Sequence, residues 1–344
     1  LGASLHLPAW QTYCHRAHPG ADGKKFSEEA VTCVLSPPPD VVAIVGATAS
    51  GKTALSLELA RRLDTEIISA DSMQVYKGME IGTAAPTLEE RAKIKHHFVG
   101  FLSPLEQFSA GAFGVAARNV IAALNRRARI AVLVGGSGLY LRAVIDGLFP
   151  GPAKDEFIRA RLHAEAEQGG VQILYERLQS VDPDYAKVIL PGDLRRIVRA
   201  LEVYELTGKP ISALHRLHQN ESPSLRVLQI GLDLPREVLY RRINERVERM
   251  LACGFLDEVR TLLAQGYGER FAQLRTLGYR EFADYLQGKC SYEEALETMK
   301  RNTRRYARRQ LIWFRGDSRI QWIPVSEETT VSDLADRAIK LIPT

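Results

Sequence analysis

The eight residues Gly46-Ala-Thr-Ala-Ser-Gly-Lys-Thr53 constrain the fold of this chain more than any other segment. They fill every fixed position of the G-x-x-x-x-G-K-[ST] pattern. The preceding run 41–45 is short, apolar and β-branched, as a buried parallel strand should be, and the following run 54–63 consists largely of good helix formers. A strand, a glycine-rich loop and a helix in this order predict an α/β fold with a parallel sheet, and a loop that grips phosphate groups.

Each residue type in this loop suits a polyphosphate ligand. Glycines let backbone N–H groups converge on phosphate oxygens, and the helix N-terminus adds the positive end of its dipole. Lys52 is expected to reach the terminal phosphate, and the Thr53 hydroxyl to bind a Mg²⁺ ion whose other ligands are phosphate oxygens and water. The predicted phosphate loop consists of Gly46, Ala47, Thr48, Ala49, Ser50, Gly51, Lys52 and Thr53.

The loop alone does not identify its polyphosphate, because hydrolases, kinases and transferases all use it. The strongest second strand, 130–134, runs into Gly135-Gly-Ser-Gly138 with no acid at its end, which is a poor match to a nucleotide hydrolase. The strand candidate 66–69 leads to Asp71, at the sheet edge where ligands bind. Asp71 is therefore a candidate metal ligand or general base, and spacing does not separate these roles from that of a turn cap.

A set of ordered motifs resembles the tRNA dimethylallyltransferase family. The resemblance covers about residues 40 to 325. It implies transfer of a dimethylallyl group from dimethylallyl diphosphate to N6 of the adenine 3′ of the tRNA anticodon, with release of diphosphate and without consumption of ATP. The motifs are the phosphate loop, the run Ser69-Ala-Asp-Ser-Met-Gln-Val-Tyr-Lys-Gly-Met79, Ile81-Gly-Thr-Ala84, His96-His97, Gly135-Gly-Ser-Gly-Leu-Tyr140 and Arg195-Arg-Ile-Val-Arg-Ala-Leu-Glu202.

The resemblance also implies roles for individual residues. Asp71 corresponds to the general base on N6, while Lys52 and Thr53 handle diphosphate and Mg²⁺. Ser137 stands where the family usually has Thr, so the hydroxyl is kept and an orienting methyl group is lost. Arg246 resembles a family arginine that contacts the diphosphate, although Arg242 and Arg249 lie nearby in the sequence. The residues implied to contact tRNA are Asp71, Ser72, Met73, Gln74, Arg159, Arg195, Arg196, Ile197, Val198, Arg199, Arg275, Gly278, Arg304, Arg305 and Arg308.

The positive charge of the chain is concentrated near its C-terminal end. There are 46 Lys and Arg against 41 Asp and Glu, and the run 300–315 contains no acid. On a helix, its arginines at 301, 304, 305, 308 and 309 would form one basic stripe. Such a stripe suits a phosphate backbone, and a solvated charged face is the alternative. Leu311, Ile312 and Trp313 are expected to anchor this helix in the core.

We expect a P-loop-type parallel sheet flanked by helices, formed by residues 39–150 and 223–344 around a helical insertion lobe at 151–222. Residues 1–38 match no part of the family and are expected to form a disordered extension. Amphipathic stretches at 157–168, 174–179 and 194–206 predict the lobe's helices, and Pro and Gly at its edges predict hinges that let it close over tRNA. The strand candidates are 41–45, 66–69, 97–101, 130–134, 226–232 and 319–323.

The remaining composition adds three expectations. The four cysteines contain no C-x₂-C pair, which disfavours a zinc site or a disulfide framework and favours the cytoplasm. No run approaches the roughly 20 apolar residues of a membrane span. We also expect a monomer. Tyr76, Phe113 and Tyr140 either line an isoprenoid pocket or belong to the core, and the His96-His97 pair is expected to be structural.

Two other functions compete with this interpretation. A prenyltransferase acting on free adenylate would share the phosphate loop, Asp71 and Ser137, but it would not need the basic helix. A P-loop kinase or ATPase is the third hypothesis, which rests on the generality of the loop alone.

Overall fold

The computed structural model describes residues 37–148, 151–221, 224–274 and 276–343. Its centre is a six-stranded sheet in which every pair of strands is parallel. This confirms the predicted α/β fold with a parallel sheet. The strands are β1 (Val41–Val45), β2 (Ile67–Ser69), β3 (His96–His97), β4 (Ala131–Gly135), β5 (Val227–Asp233) and β6 (Ile320–Pro324), and their spatial order is β3-β2-β4-β1-β5-β6.

Helices cover both faces of the sheet. They are α1 (Lys52–Arg62), α2 (Leu88–Lys93), α3 (Ala110–Asn125), α4 (Gly138–Ile145), α5 (Glu156–Gly169), α6 (Val171–Val181), α7 (Pro183–Ala186), α8 (Leu194–Thr207), α9 (Ile211–Glu221), α10 (Arg236–Ala252), α11 (Phe255–Ala264), α12 (Gly268–Leu274), α13 (Tyr279–Leu286), α14 (Tyr292–Arg315) and α15 (Val331–Lys340).

Five of the six predicted strands are confirmed to within one residue at each end, and 97–101 is the exception. There the strand is only His96–His97, because Phe98 and Gly100 adopt positive φ values of 64° and 57° that no strand accommodates. The N–H of Gly100 instead donates to the carbonyl oxygen of Gln74 at 2.8 Å. This backbone therefore supports the loop after β2 rather than extending the sheet.

Strand β1 is buried on both sides, which explains its unbroken apolar sequence. Val41, Ala43 and Val45 point into one core, together with residues of α3, α4, α11 and α13. Val42 and Ile44 point into the other core, with residues of α1, α10 and α15. Because alternate side chains of a strand face opposite ways, each core takes every second residue.

Helices α5 to α9 pack on one another around a third hydrophobic core. The first turns of α5, α7 and α8 are capped by the side chains of Asp155, Asp182 and Asp193, which each accept a backbone hydrogen bond. The three helices predicted here are confirmed. The discontinuous core and the closure of this lobe over tRNA stay predictions. The hinges predicted at the edges of the lobe include residues 149, 150, 222 and 223, which lie outside the described residues.

The extension predicted at 1–38 also lies outside the described residues, apart from Pro37 and Pro38. Of the four cysteines, Cys253 and Cys290 are described, and both are free thiols. No helix within the described ranges is long and apolar enough to cross a bilayer.

Candidate active site

A cavity of about 350 Å³ opens at the carboxyl edge of the sheet. This is the edge where open α/β sheets bind ligands, since the loops that follow neighbouring strands meet there. The loop after β1 contributes Thr48 and Lys52, the loop after β2 contributes Asp71, and the loop after β4 contributes Gly136. The structure thus brings together three sequence segments in which candidate residues were predicted.

The phosphate loop reaches its shape through backbone conformations that few residues adopt. Gly46 and Gly51 have φ values of 139° and 101°, which glycine alone accepts readily. Ala49 lies in the left-handed region at φ 64°, at a cost of about 1–2 kcal/mol for a residue with a Cβ atom. The loop then enters α1 at Lys52, whose first-turn N–H groups have no acceptor within the helix. The result is a concave, electropositive surface suited to an anion.

Two basic side chains face this surface from different elements. Lys52 Nζ donates to the carbonyl oxygen of Ala47 at 2.6 Å, and Arg246 Nη1, from α10, donates to Thr48 Oγ1 at 3.2 Å. Burial, together with the neighbouring Arg246 charge, lowers the pKa of Lys52 to about 7, while the Asp71 charge opposes the change. These two cations repel each other, so a bound polyanion would offset an electrostatic repulsion that is present in the ligand-free protein.

The structure also distinguishes among three neighbouring arginines of α10. Arg246 lines the cavity, whereas Arg242 and Arg249 are not among its lining residues. Burial lowers the pKa of Arg246, and the Asp71 carboxylate counteracts that change. Arg246 is therefore the α10 arginine that is available to a ligand in the cavity.

Asp71 is held by its own loop. Its Oδ1 accepts a hydrogen bond from the N–H of Met73 at 2.9 Å, the single hydrogen bond to this carboxylate among the described residues. The next residue, Ser72, donates its N–H to Ser137 Oγ at 3.0 Å, and Ser137 Oγ donates to Ser72 Oγ at 3.2 Å. Ser137 precedes α4 but does not cap it through its side chain. Its hydroxyl instead fixes the backbone beside Asp71.

Much of the cavity lining is apolar. A ligand that has both a charged diphosphate group and a short hydrocarbon group matches this combination of cations and apolar side chains. Phe113, Tyr76 and Tyr140 do not line the cavity: they are buried in the core, where Phe113 and Tyr140 stack with centroids 4.4 Å apart. The larger apolar lining residues are Met73, Val134, Ile243, Val247, Met250, Leu274, Leu277 and Met299.

Several lining residues were missed by the sequence analysis, among them Tyr306 and Gln310, which reach the cavity from α14. Burial raises the pKa of Tyr306 and the Asp71 charge adds to this, while its hydroxyl interacts with the side chains of Ser137 and Gln310. A signal did exist, because these two polar residues lie four positions apart inside the basic run, on a different face from most of its arginines.

Arginines 301, 305, 308 and 309 form an exposed basic face on α14. Arg304 is partly committed to the protein, since its Nη1 donates to Asn244 Oδ1 at 2.7 Å. The anchor predicted for this helix is largely wrong: Ile312 is 64% exposed and Trp313 42% exposed, and Phe314, at 3%, is buried instead. The buried face of α14 falls on positions 299, 307, 310 and 314, and its 3.6-residue period leaves 312 and 313 outside.

The residues of the helical lobe that were predicted to contact tRNA lie in different environments. Arg159 and Arg199 both bind the carboxylate of Glu202, which is completely buried, with N–O distances of 2.8 Å. Ile197 and Val198 are 0% and 3% exposed, so their side chains form part of the lobe's core. The helix period turns these two side chains inward. The tRNA contact implied for this segment stays a prediction.

Other predicted tRNA residues lie at the surface or the cavity. Arg195 and Arg196 are exposed at the start of α8. Gly278 precedes α13 at φ 86°, where a Cβ atom would lie 2.7 Å from Met299 Cε. Arg275 lies outside the described residues. Ser72, Met73 and Gln74 line the cavity next to Asp71.

Oxygen donors for a metal are few. Thr53 and Asp71 line the cavity, and no cluster of three or more His, Cys, Asp or Glu that could hold a metal occurs in the described part of the chain. This donor set suits Mg²⁺, which keeps several waters and uses phosphate oxygens as ligands. His97 Nε2 contacts Glu66 Oε2 at 2.6 Å and His96 Nδ1 contacts the carbonyl oxygen of Ile94 at 2.7 Å, so both rings make structural contacts.

Comparisons with known proteins agree with one another. A profile described as IPP transferase matches residues 74–317. The tRNA dimethylallyltransferases of Syntrophobacter fumaroxidans and Geobacter metallireducens are both 47% identical to this chain, over 83% and 82% of it and 84% and 92% of their own lengths. The crystal structure of a Bacillus halodurans tRNA isopentenylpyrophosphate transferase has 40% identity and a TM-score of 0.63, covering 88% of this chain and 96% of its own. A eukaryotic dimethylallyltransferase studied crystallographically acting on tRNA has 30% identity and a TM-score of 0.71, covering 87% and 77%.

Proposed function

This chain belongs to the IPP transferase family of tRNA dimethylallyltransferases, and from this premise we propose that it transfers a dimethylallyl group from dimethylallyl diphosphate to N6 of the adenine 3′ of the tRNA anticodon. The observation that carries the proposal is the mixed lining of the cavity. Lys52 and Arg246 supply positive charge, Met, Leu, Ile and Val side chains supply an apolar lining, and Asp71 lines the same cavity. A prenyl diphosphate, which has a polyanionic group and a hydrocarbon group, matches this lining.

In the proposed complex, the diphosphate lies against the phosphate loop and the N-terminus of α1. Lys52 and Arg246 bind its oxygens, and the hydrocarbon lies against the apolar lining residues. Thr53 and diphosphate oxygens would hold Mg²⁺, which supplies positive charge to the leaving group when it is bound. The absence of any cluster of protein metal ligands among the described residues is consistent with a metal held chiefly by the substrate.

Asp71 is the proposed general base. The lone pair of an adenine N6 amine is delocalised into the ring, so a carboxylate that takes its proton raises its nucleophilicity. The N6–carbon bond forms as the allylic C–O bond breaks, the electron pair leaves on the diphosphate, and the N6 proton passes to Asp71. Positive groups already held around the leaving group stabilise the charge that develops on it, and they need no rearrangement during the reaction.

The basic face of α14 supports a nucleic-acid substrate rather than a free nucleotide. A macromolecular anion can span several of its arginines, whereas adenylate has a single phosphate. The target adenine must leave its stack to reach Asp71, at a cost of a few kcal/mol that a loop nucleotide already partly avoids. The proposed tRNA contacts are Ser72, Met73 and Gln74 at the cavity, and Arg195, Arg196, Arg304, Arg305 and Arg308 outside it.

We propose that the chain works as a monomer. The two described cysteines are free thiols, as is usual in the reducing cytoplasm, and we propose this compartment as its location.

One experiment tests the proposed function directly. The purified protein is incubated with radiolabelled dimethylallyl diphosphate, Mg²⁺ and an unmodified anticodon stem-loop, with AMP and ATP as acceptors in parallel reactions. We expect label in the stem-loop alone, and only when adenine follows the anticodon. Label in AMP or ATP would assign the chain to the adenylate class. Absence of transfer together with ATP hydrolysis that Lys52→Ala abolishes would replace the proposal with a kinase or ATPase.

A further inference from the structure

Gln310 joins two active-site loops that are far apart in the sequence. Its Oε1 accepts the backbone N–H of Thr48, in the phosphate loop, at 2.8 Å. Its Nε2 donates to the carbonyl oxygen of Gly136, in the loop after β4, at 2.9 Å. The orientation of the amide is unambiguous, because a backbone N–H can only donate and a backbone carbonyl can only accept.

The bridge is buried and closely packed. Gln310 is 6% exposed, so its amide would carry a desolvation cost if either bond were missing. A Cβ atom on Gly136 would lie 2.2 Å from Gln310 Nε2, so only glycine lets the carboxamide enter at this point. Gly136 is therefore a glycine because of a close approach and not because of a positive φ value.

Two side chains from different helices hydrogen-bond Thr48. Gln310 holds its backbone N–H while Arg246 donates to its hydroxyl at 3.2 Å. Because the N–H of Thr48 is bound to Gln310, it is not free to bind a phosphate. The anion is therefore expected to bind the amides that follow Thr48 in the loop. Contacts from α10 and α14 thus determine which backbone N–H groups of the phosphate loop remain free to bind the diphosphate.

The other end of the bridge leads to the general base. Gly136 is followed by Ser137, whose hydroxyl binds the N–H of Ser72 beside Asp71. A continuous series of contacts therefore runs from the phosphate loop through Gln310 and Ser137 to the Asp71 loop. We infer that Gln310 is a positioning residue that sets the distance between the diphosphate cradle and the general base. This inference rests on the proposed function.

The consequence for the reaction is geometric. Transfer needs the leaving diphosphate, the allylic carbon and N6 in line, and a misplacement of about 1 Å can cost roughly 100-fold in rate. Because both ends of the Gln310 amide are bound to the two loops, its loss is expected to alter both the diphosphate affinity and kcat through the loops. The affinity for tRNA, which depends on the outer arginines, is expected to remain unchanged.

The test compares Gln310→Leu with Gln229→Leu. Gln229 is 4% exposed on β5 and its side chain hydrogen-bonds Asp317, so it controls for the loss of a buried amide. We expect Gln310→Leu to weaken inorganic diphosphate binding by about 10-fold or more and to lower kcat by about 100-fold, with stem-loop affinity within about twofold. Gln229→Leu is expected to change stability without these effects. Equal behaviour of the two variants would overturn the inference.

A second variant keeps the inference testable if Gln310→Leu does not fold. Gly136→Ala adds a Cβ atom where the Gln310 amide lies, and we expect the same loss of diphosphate affinity. Because both changes break one bridge, the effect of the double variant should be smaller than the product of the single effects. Simple multiplication, or unchanged diphosphate binding in Gly136→Ala, would contradict the bridge. Inorganic diphosphate binding requires no tRNA, so this readout remains informative if tRNA transfer itself fails.

Discussion

The hydroxyl of Ser137 accepts a hydrogen bond from the backbone N–H of Ser72 at 3.0 Å, so a residue at the start of α4 fixes the backbone next to Asp71. The family resemblance suggested that a hydroxyl is needed at position 137, and the geometry gives a reason that involves the loop rather than the ligand. Threonine in this position would keep the acceptor and restrict its rotation.

We therefore expect Ser137→Ala to lower kcat by about 10-fold, since the N–H of the half-buried Ser72 would lose its partner and the Asp71 loop would shift to restore a hydrogen bond. Ser137→Thr should retain most activity. Single-turnover transfer to the stem-loop measures both. Ser109→Ala is the matched control: it removes the cap of α3, with its 3.1 Å bond from Ala112, and should reduce stability while leaving transfer unchanged. Wild-type kcat in Ser137→Ala would contradict this role.

Asp71→Asn tests the general base. Asparagine keeps an oxygen for the N–H of Met73, now 2.9 Å from Oδ1, so the loop should hold its shape. It cannot accept the N6 proton, and we expect kcat to fall by about 10²–10⁴-fold with both substrate affinities within a few fold. The control is Asp155→Asn, which changes the cap of α5 far from the chemistry. Near-normal turnover in Asp71→Asn would reduce Asp71 to a structural residue.

Diphosphate binding should take up a proton at Lys52. The pKa of this amine is lowered to about 7 by burial and by Arg246, so it is mostly neutral at pH 8 in the free protein. A bound polyanion favours the charged form, which raises that pKa again. We expect uptake of nearly one proton at pH 8, measured by calorimetry with dimethylallyl diphosphate in buffers of different ionisation enthalpy.

The direction in which the affinity changes with pH gives a second measurement. Affinity should rise as the pH is lowered from 9 towards 7 and then level off, because Lys52 is charged in the free protein below its pKa. Lys52→Arg is the control, since arginine remains charged throughout this range and should bind without proton uptake. Uptake that persists in Lys52→Arg would have to come from another group, and this assignment would be wrong.

The basic face should act mainly on tRNA affinity. We expect Arg305→Glu with Arg308→Glu to weaken stem-loop binding, and the salt dependence of log Kd to fall by about one unit for each phosphate that the variant no longer neutralises. The KM for dimethylallyl diphosphate should not change. Arg126→Glu with Arg127→Glu, beyond the C-terminus of α3, makes the same charge change at the opposite edge of the sheet. Equal weakening by both pairs would indicate a general charge effect instead of a binding face.

Glu202 should stabilise the helical lobe. Although burial acts in the opposite direction, hydrogen bonds from Arg159 and Arg199 hold its pKa at about 2. Because this value is below that of an unfolded glutamate, the stabilisation is present above pH 4.5 and is lost as the pH falls towards 2. We expect Glu202→Ala to cost about 3–5 kcal/mol, since it leaves two partly buried arginines without their carboxylate.

The matched control is Glu205→Ala, which lies one turn further along α8 and pairs with the more exposed Arg161 and Arg177. It should cost much less in the free energy of unfolding, measured by denaturation and by hydrogen exchange of α5 and α8. If Glu202→Ala left the lobe stable but impaired tRNA binding, Arg159 and Arg199 would be tRNA contacts first, as the family resemblance implied.

Local sequence was sufficient to predict the phosphate loop, the parallel strands and the position of Asp71 directly after one of them. Each depends on neighbours within a few residues: the glycines that permit positive φ, the apolar run of a buried strand, and an acid directly after it. The rule that ligands bind at the carboxyl ends of parallel strands then brings these segments to one edge without any further information. The family resemblance supplied the chemistry expected at that edge.

Only the tertiary structure determined which face of each helix packs against the rest of the protein. The run 300–315 predicted a basic helix, but only packing against both loops placed Gln310 inside and left Trp313 exposed. In the same way, the packing of α8 buried Ile197 in the lobe's core, and the position of α10 placed Arg246, and not Arg242 or Arg249, on the cavity. A 3.6-residue period fixes which side chains share a face, whereas the direction of that face depends on contacts with residues hundreds of positions away.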